Sequence, residues 1–191
     1  MSEMQKILSG IKTEHLLAEL EAHPELWNQY DFRTNYEGSA HKDVSDIVLR
    51  YRDFAEFDPD QPQKFSYQHT SEWYAAASHL PNIKSTVENI FTLVGGDELG
   101  GVLITRIPAV CSVLPHSDDG HWHSTYFLNK YLLLLESDPL QTFEFPVEDG
   151  EDEVHTGVAG DLFLFDNRNI HAVYNKSGKD RISLIMAIKK D

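Results

Sequence analysis

Hydrophobic residues in this chain change period near residue 100, from helical spacing before it to extended runs after it. In the first part, Leu16, Leu17 and Leu20 form a stripe that begins after Thr13, a residue type suited to an N-cap, and stops at Pro24. The stripe predicts a short helix packed on the outside of a core. Residues 44–52, Val-Ser-Asp-Ile-Val-Leu-Arg-Tyr-Arg, are rich in apolar and β-branched types and read as a strand. Residues 53–68 carry Pro59 and Pro62 among polar residues and read as a surface loop. Two further helices are expected over 71–79 and 83–94. In the second, Val87, Ile90, Phe91 and Val94 recur at i, i+3, i+4 and i+7, and Gly95-Gly96 supplies the stop.

After Gly100 come eight short apolar or β-branched runs separated by turn residues: 101–108, 109–114, 130–136, 141–147, 153–158, 161–165, 170–175 and 181–188. Eight strands in so short a span predict a two-sheet jelly roll. With 191 residues and no internal repeat, one domain is expected, in which 1–99 pack as a helical and extended part on a β core formed by 100–191.

Charge and cysteine content narrow the function. A formal charge of -15 repels a phosphate backbone, so nucleic acid is disfavoured as a partner. The single cysteine, Cys111, excludes an intramolecular disulfide framework. The first ten residues lack the apolar run of a secretion signal, and no stretch approaches membrane-spanning length, so a cytoplasmic address is expected.

The candidate chemistry lies in the last third. His116 and Asp118 end an extended run, Cys111-Ser112-Val113-Leu114-Pro115, so two alternate side chains can point the same way from a strand end. With ten histidines in the chain, a His-x-Asp pattern arises by chance roughly once. Indeed His41-Lys42-Asp43 is a rival, and surface polarity at a strand end would explain either pair. His171 opens a later strand that a jelly roll can bring to the same mouth, although a lone strand histidine is more often a hydrogen-bonded core or rim residue. Two imidazoles and a carboxylate can hold one face of Fe(II) and leave the other open.

Arg181 lies ten residues beyond His171, in an otherwise apolar strand. Burial there is costly without an anionic partner, and its planar fork suits a carboxylate, either internal or from a ligand. If Lys176-Ser177-Gly178 closes a three-residue hairpin loop, Asn175 pairs with Lys179 and His171 with Ser183, which sets His171, Arg181 and Ser183 on one face.

On these residues the chain resembles the Fe(II)/2-oxoglutarate-dependent oxygenases, particularly the aspartyl/asparaginyl β-hydroxylase-like group that includes free-proline hydroxylases. The resemblance runs from about Trp27 to Lys189. It is carried by Ser45-Asp46-Ile47-Val48-Leu49-Arg50, Arg106-Ile107-Pro108-Ala109, Pro115-His116-Ser117-Asp118, Gly160-Asp161-Leu162-Phe163-Leu164-Phe165-Asp166-Asn167, His171-Ala172-Val173-Tyr174-Asn175 and Arg181-Ile182-Ser183. It implies a double-stranded β-helix, the jelly roll of cupins. It implies also that His116, Asp118 and His171 ligate iron, and that Arg181 with Ser183 binds the distal carboxylate of 2-oxoglutarate. The co-substrates would be 2-oxoglutarate and O2, and the product a hydroxylated amino acid, free or within a peptide. The chain departs from the animal aspartyl β-hydroxylases in having the carboxylate ligand Asp118, so their reaction is not transferred. Where those enzymes carry an Arg and a His on the strand after the first ligand, this chain offers Lys130 and Leu132, and Lys130 is the candidate for the proximal carboxylate.

Candidates facing the substrate are His121, Trp122 and His123, just after the first ligands, with Tyr126, Arg50 and Arg106; Arg33 and Asn169 could add polar contacts. His121 and His123 share the i, i+2 spacing of a chelating pair and are assigned to the rim. Arg106 is equally suited to a substrate carboxylate or a surface ion pair, and the aromatic residues to packing or recognition. A non-catalytic cupin-like metal or ligand-binding module and a nucleobase-modifying oxygenase are the competing functions, the first weakened by Arg181 and the second by the charge.

Overall fold

The computed structural model describes residues 2–35, 37–118, 126–148 and 150–190. These residues form eleven strands: β1 (Met4–Leu8), β2 (Ser45–Tyr51), β3 (Glu72–Trp73), β4 (Glu98–Ile107), β5 (Ser112–His116), β6 (Asn129–Glu136), β7 (Gln141–Phe145), β8 (Glu153–His155), β9 (Leu162–Asp166), β10 (His171–Asn175) and β11 (Arg181–Lys189). The helices are α1 (Glu14–Ala22), α2 (Ala76–His79) and α3 (Pro81–Leu93). A larger antiparallel sheet runs β1-β9-β6-β11-β4-β2-β3 and a smaller one β5-β10-β7-β8. From β4 on, the chain passes back and forth between the sheets, and the eight strands expected after residue 100 are all present. The fold is a double-stranded β-helix.

The larger sheet is covered on both faces, which explains its uniformly apolar strands. In β6, Leu133 and Leu135 pack outward with Leu16, Leu20, Ile83 and Val87 of the helices. The alternate Leu132 and Leu134 pack inward with Phe143, Phe145 and Val173 of the smaller sheet. Strand β11 divides in the same way: Leu184 and Met186 join the helix side, and Ile185 packs against the inner cluster. Arg181 and Ser183, in step with Ile185, therefore sit on the inner face.

Local chemistry sets the helix ends. Pro81 starts α3 two residues earlier than its apolar period indicated, where its missing N–H costs nothing. Gly95, at φ +67°, closes it, with the Gly96 N–H returned to the Phe91 carbonyl at 2.9 Å. Thr13 precedes α1 but makes no side-chain cap; its carbonyl accepts the Leu17 N–H at 2.9 Å. The helix expected over 71–79 is shorter, because Glu72 and Trp73 pair with Tyr51 and Arg50 as strand β3. The expected loop over 53–68 contains two short 3-10 turns, Phe54–Glu56 and Pro62–Ser66.

One expectation about pairing fails. Strands β10 and β11 do not form a hairpin: β10 pairs with β5 and β7, and β11 with β4 and β6. The segment between them crosses from one sheet to the other and is held by Asn175, whose Nδ2 donates to the carbonyls of Ile107, Pro108 and Lys179. His171 and Arg181 nevertheless face the same interior, because the inner faces of two stacked sheets look at each other.

Candidate metal centre

His171 begins β10 directly opposite His116 at the end of β5. The ring centroids of the two are 4.5 Å apart. Asp118, two residues past His116, is fixed by its backbone N–H, which donates to the Asn167 carbonyl at 3.0 Å. One side-chain donor atom from each of these three residues lies within 4.8 Å of the other two.

The backbone selects the tautomer of both imidazoles. His116 Nδ1 lies 2.8 Å from the Leu114 carbonyl, and His171 Nδ1 lies 2.8 Å from the Asn169 carbonyl. A carbonyl only accepts, so each Nδ1 donates to it and Nε2 is the nitrogen left for a metal. Those Nε2 atoms face Asp118, at 3.6 Å from Oδ1 for His116 and 3.9 Å from Oδ2 for His171. Two imidazole Nε2 atoms and one carboxylate thus converge, a donor set that fits Fe(II) with open positions.

Protonation states agree with this. Burial pushes the Asp118 carboxyl up, but the Lys130 ammonium paired with it and the two imidazoles outweigh that and hold it well below the usual carboxylate range. Burial lowers His171 to about 4 against the pull of Asp118, so the ring is neutral near pH 7. Phe143 stacks on it with centroids 5.4 Å apart, and Phe165 meets it edge-on at 5.2 Å.

The donors open into a cleft between the sheets, which is also lined by Arg33, His41, Lys130 and Arg181. Arg181 is 5% exposed, and among the described residues no carboxylate or hydrogen-bond acceptor pairs with its guanidinium. Burial alone lowers it, to about 10, so it remains charged. Ser183 is buried on the same strand face but is not among the residues lining the cleft, and its Oγ has no hydrogen-bond partner among the described residues.

Other expected site residues lie elsewhere. Arg106 points away from the cleft and stacks on the Trp27 ring at 4.5 Å, because its strand neighbours Thr105 and Ile107 take the inward positions. Arg50 donates to the Leu99 carbonyl at 3.2 Å and lies over Trp73. Tyr126 donates to Glu98 at 2.5 Å and lies under Lys189. None of the three lines the cleft. Asn169 donates its side-chain amide to Glu3. His121, Trp122 and His123 lie outside the described residues.

In the rival pair, Lys42 and Asp43 are exposed, so His41-Lys42-Asp43 does not chelate. Its histidine was undervalued, however. His41 is buried in the cleft with its ring edge-on to His116 at 4.5 Å. No local pattern marks it beyond the strand that follows, in which Val44, Ile47, Val48 and Leu49 are buried.

Solved structures share this fold at low sequence identity. They include an oxidoreductase of the 2OG-Fe(II) oxygenase family from Burkholderia pseudomallei (11% identity, TM-score 0.61, 98% of this chain and 84% of that one). A Pseudomonas putida prolyl-4-hydroxylase matches over 100% of this chain and 94% of its own, at 15% identity and TM-score 0.55. A Trichoplax adhaerens prolyl hydroxylase, in complex with a hypoxia inducible factor oxygen degradation domain peptide fragment, matches at 9% identity and TM-score 0.68 over 98% of this chain and 84% of that one. No curated protein matches in sequence. The family model for aspartyl/asparaginyl β-hydroxylase, by contrast, matches residues 12–191, nearly the whole chain, and with the site just described it places the protein in that family of Fe(II)- and 2-oxoglutarate-dependent hydroxylases.

Proposed function

We propose that this hydroxylase holds Fe(II) on His116 Nε2, His171 Nε2 and an Asp118 oxygen, and binds 2-oxoglutarate through Arg181. Its substrate is a peptide or a small molecule, and the bond oxidised is an unactivated C–H of an amino acid. Bound together, iron, 2-oxoglutarate and O2 supply oxidative decarboxylation to succinate and CO2 with transfer of one oxygen atom to the substrate.

The protein's own residues prepare that chemistry. The Leu114 and Asn169 carbonyls hold the imidazoles in the ligating tautomer. Arg181, charged and without a partner among the described residues, receives the distal carboxylate; Ser183, buried on the same strand face, is the second residue proposed for that group, which it reaches only if the cleft lining shifts. Lys130, paired with Asp118, is the candidate for the proximal carboxylate. Leu132, Phe143, Phe165 and Ile185 give the cleft apolar walls that exclude water. Residues 1–99 and 100–191 act as one oxygenase domain, since β2 and β3 extend the core sheet and β1 completes its other edge. Among the described residues no helix is long and apolar enough to cross a membrane, and a single cysteine supports a cytoplasmic address.

The observation that carries this function is the buried, unpartnered Arg181 guanidinium beside a His/Asp/His donor set. A binding module has no use for it, whereas an enzyme that must seat a dicarboxylate does. Under anaerobic conditions, Fe(II) plus 2-oxoglutarate should give a weak visible charge-transfer band that is diminished in Arg181→Ala. Absence of the band in the wild type, with iron affinity unchanged in His171→Ala, would overturn the assignment.

A further inference from the structure

The cleft contains a second guanidinium that the co-substrate does not need. Arg33 is gripped along one edge: Nε and Nη2 donate to the two oxygens of buried Asp46 at 2.9 and 2.7 Å, and Nη2 donates also to Thr105 Oγ1 at 2.9 Å. Thr105 in turn donates to Asp46 at 2.8 Å. The clamp fixes the plane of the guanidinium and leaves both Nη1 N–H groups without an acceptor among the described residues. Beside it His41, 8% exposed, lines the same cleft, and its ring nitrogens have no hydrogen-bond partner among the described residues.

The local charge balance gives these groups a purpose. Among the described residues, Arg33, Arg181 and Lys130 against Asp46 and Asp118 leave one net positive charge at the cleft. A divalent cation and a dianionic co-substrate cancel each other, so that positive charge remains when both are bound. It persists inside a chain whose formal charge is -15, where general attraction for anions is absent. A rigid guanidinium with a free donor edge is suited to a carboxylate, and an adjacent neutral imidazole can take a polar group next to it.

We infer that Arg33, positioned by Asp46 and Thr105, binds a carboxylate of the substrate, with His41 completing that wall of the cleft. The ligand chemistry is a carboxylate attached to an amino acid. It comes either from the α-carboxylate of a free amino acid or from an Asp or Glu side chain within a peptide. This assignment rests on Arg181 serving the co-substrate, and the test keeps the two separable.

The test uses full-length protein loaded with Mn(II) and 2-oxoglutarate, which does not turn over. Ligand-observed NMR would compare the free L-amino acids with their carboxamides, and capped tripeptides containing Asp or Glu with those containing Asn or Gln. At least one carboxylate should bind at least tenfold more tightly than its amide, and the class that does so identifies the source. Arg33→Gln and Arg33→Lys should each abolish that preference; the lysine variant retains a cation for Asp46 should the glutamine variant fold poorly. In both, the Fe(II)–2-oxoglutarate band should stay as in the wild type. Acid and amide binding equally, or no member of the panel binding at all, overturns the inference. Loss of the band in the Arg33 variants overturns it too, because Arg33 would then serve the co-substrate. A wild type that never shows the band instead refutes the underlying assignment of Arg181.

Discussion

His116 and His171 are direct cross-strand partners in the β5–β10 ladder, although fifty-four residues of chain separate them. Their convergence is therefore a property of strand register, and a slip of one residue would turn one ring to the opposite face. Removing either ring should cost metal affinity far more than stability. We expect His171→Ala to lower Fe(II) affinity at least 100-fold, measured by anaerobic titration, while the circular dichroism spectrum is unchanged. Retention of wild-type affinity would mean that the metal is held elsewhere.

Arg181 should behave in the opposite sense. Its guanidinium is buried without a partner among the described residues, so the metal-free, co-substrate-free protein bears a desolvation cost that a bound carboxylate offsets. Arg181→Met, of similar reach and apolar, should leave the apo protein equally stable or stabilise it by about 1–3 kcal/mol, a rise in Tm of several degrees for a chain of this size. The same variant should lose the increase in Tm that 2-oxoglutarate and Mn(II) give the wild type. A variant less stable than the wild type by several kcal/mol would show that Arg181 has an internal structural partner.

The contrast between these residues and those misplaced from sequence has a physical basis. Strands β4 to β11 were legible because turn residues bound each apolar run. The unbroken run Tyr131 to Leu135 even signals burial on both faces. Strand β1 was not, because only Met4 of its five residues is buried and no alternation survives. The β10–β11 connection reads as a hairpin because a short turn fixes the chain's reversal but not the partner each strand takes. Arg106 and Arg50 looked suitable for a site, yet their positions depend on Trp27 and Trp73, which are distant in sequence. For the same reason the sequence shows His41 only within a rival ligand pair and Arg33 only as a possible polar contact, whereas the cleft brings both together and Asp46 and Thr105 fix Arg33.

Lys130 offers a test that separates electrostatics from ligation. It is the main group opposing the effect of burial on Asp118. In Lys130→Met, burial is less opposed, the Asp118 carboxyl titrates at higher pH, and the metal must displace its proton. The acid limb of metal binding should therefore move to higher pH than in the wild type. Binding at pH 8 should stay saturable at one ion per chain, followed by Mn(II) paramagnetic relaxation. An unmoved acid limb would mean that Lys130 does not govern Asp118.

The buried histidines give the metal-free protein a defined acid sensitivity. Burial lowers His171 to about 4 and His41 well below its ordinary value, and half-buried His69 shifts in the same direction. Unfolding restores values near 6.5, so from about pH 6.5 downward the unfolded chain takes up protons that the native state refuses. Stability is then complete above about pH 6.5 and falls as the pH drops toward 4. His171 alone accounts for roughly 3 kcal/mol over that window. The lowered carboxyl of Asp118 acts only further down, below its unfolded value of 3.8. Urea midpoints of metal-free protein at pH 7.5, 6 and 5 should decline steadily, and His41→Gln should flatten the slope by removing one of the protons taken up. A midpoint constant between pH 7.5 and 5 would show that these rings are protonated in the folded protein, and so are not poised as neutral donors.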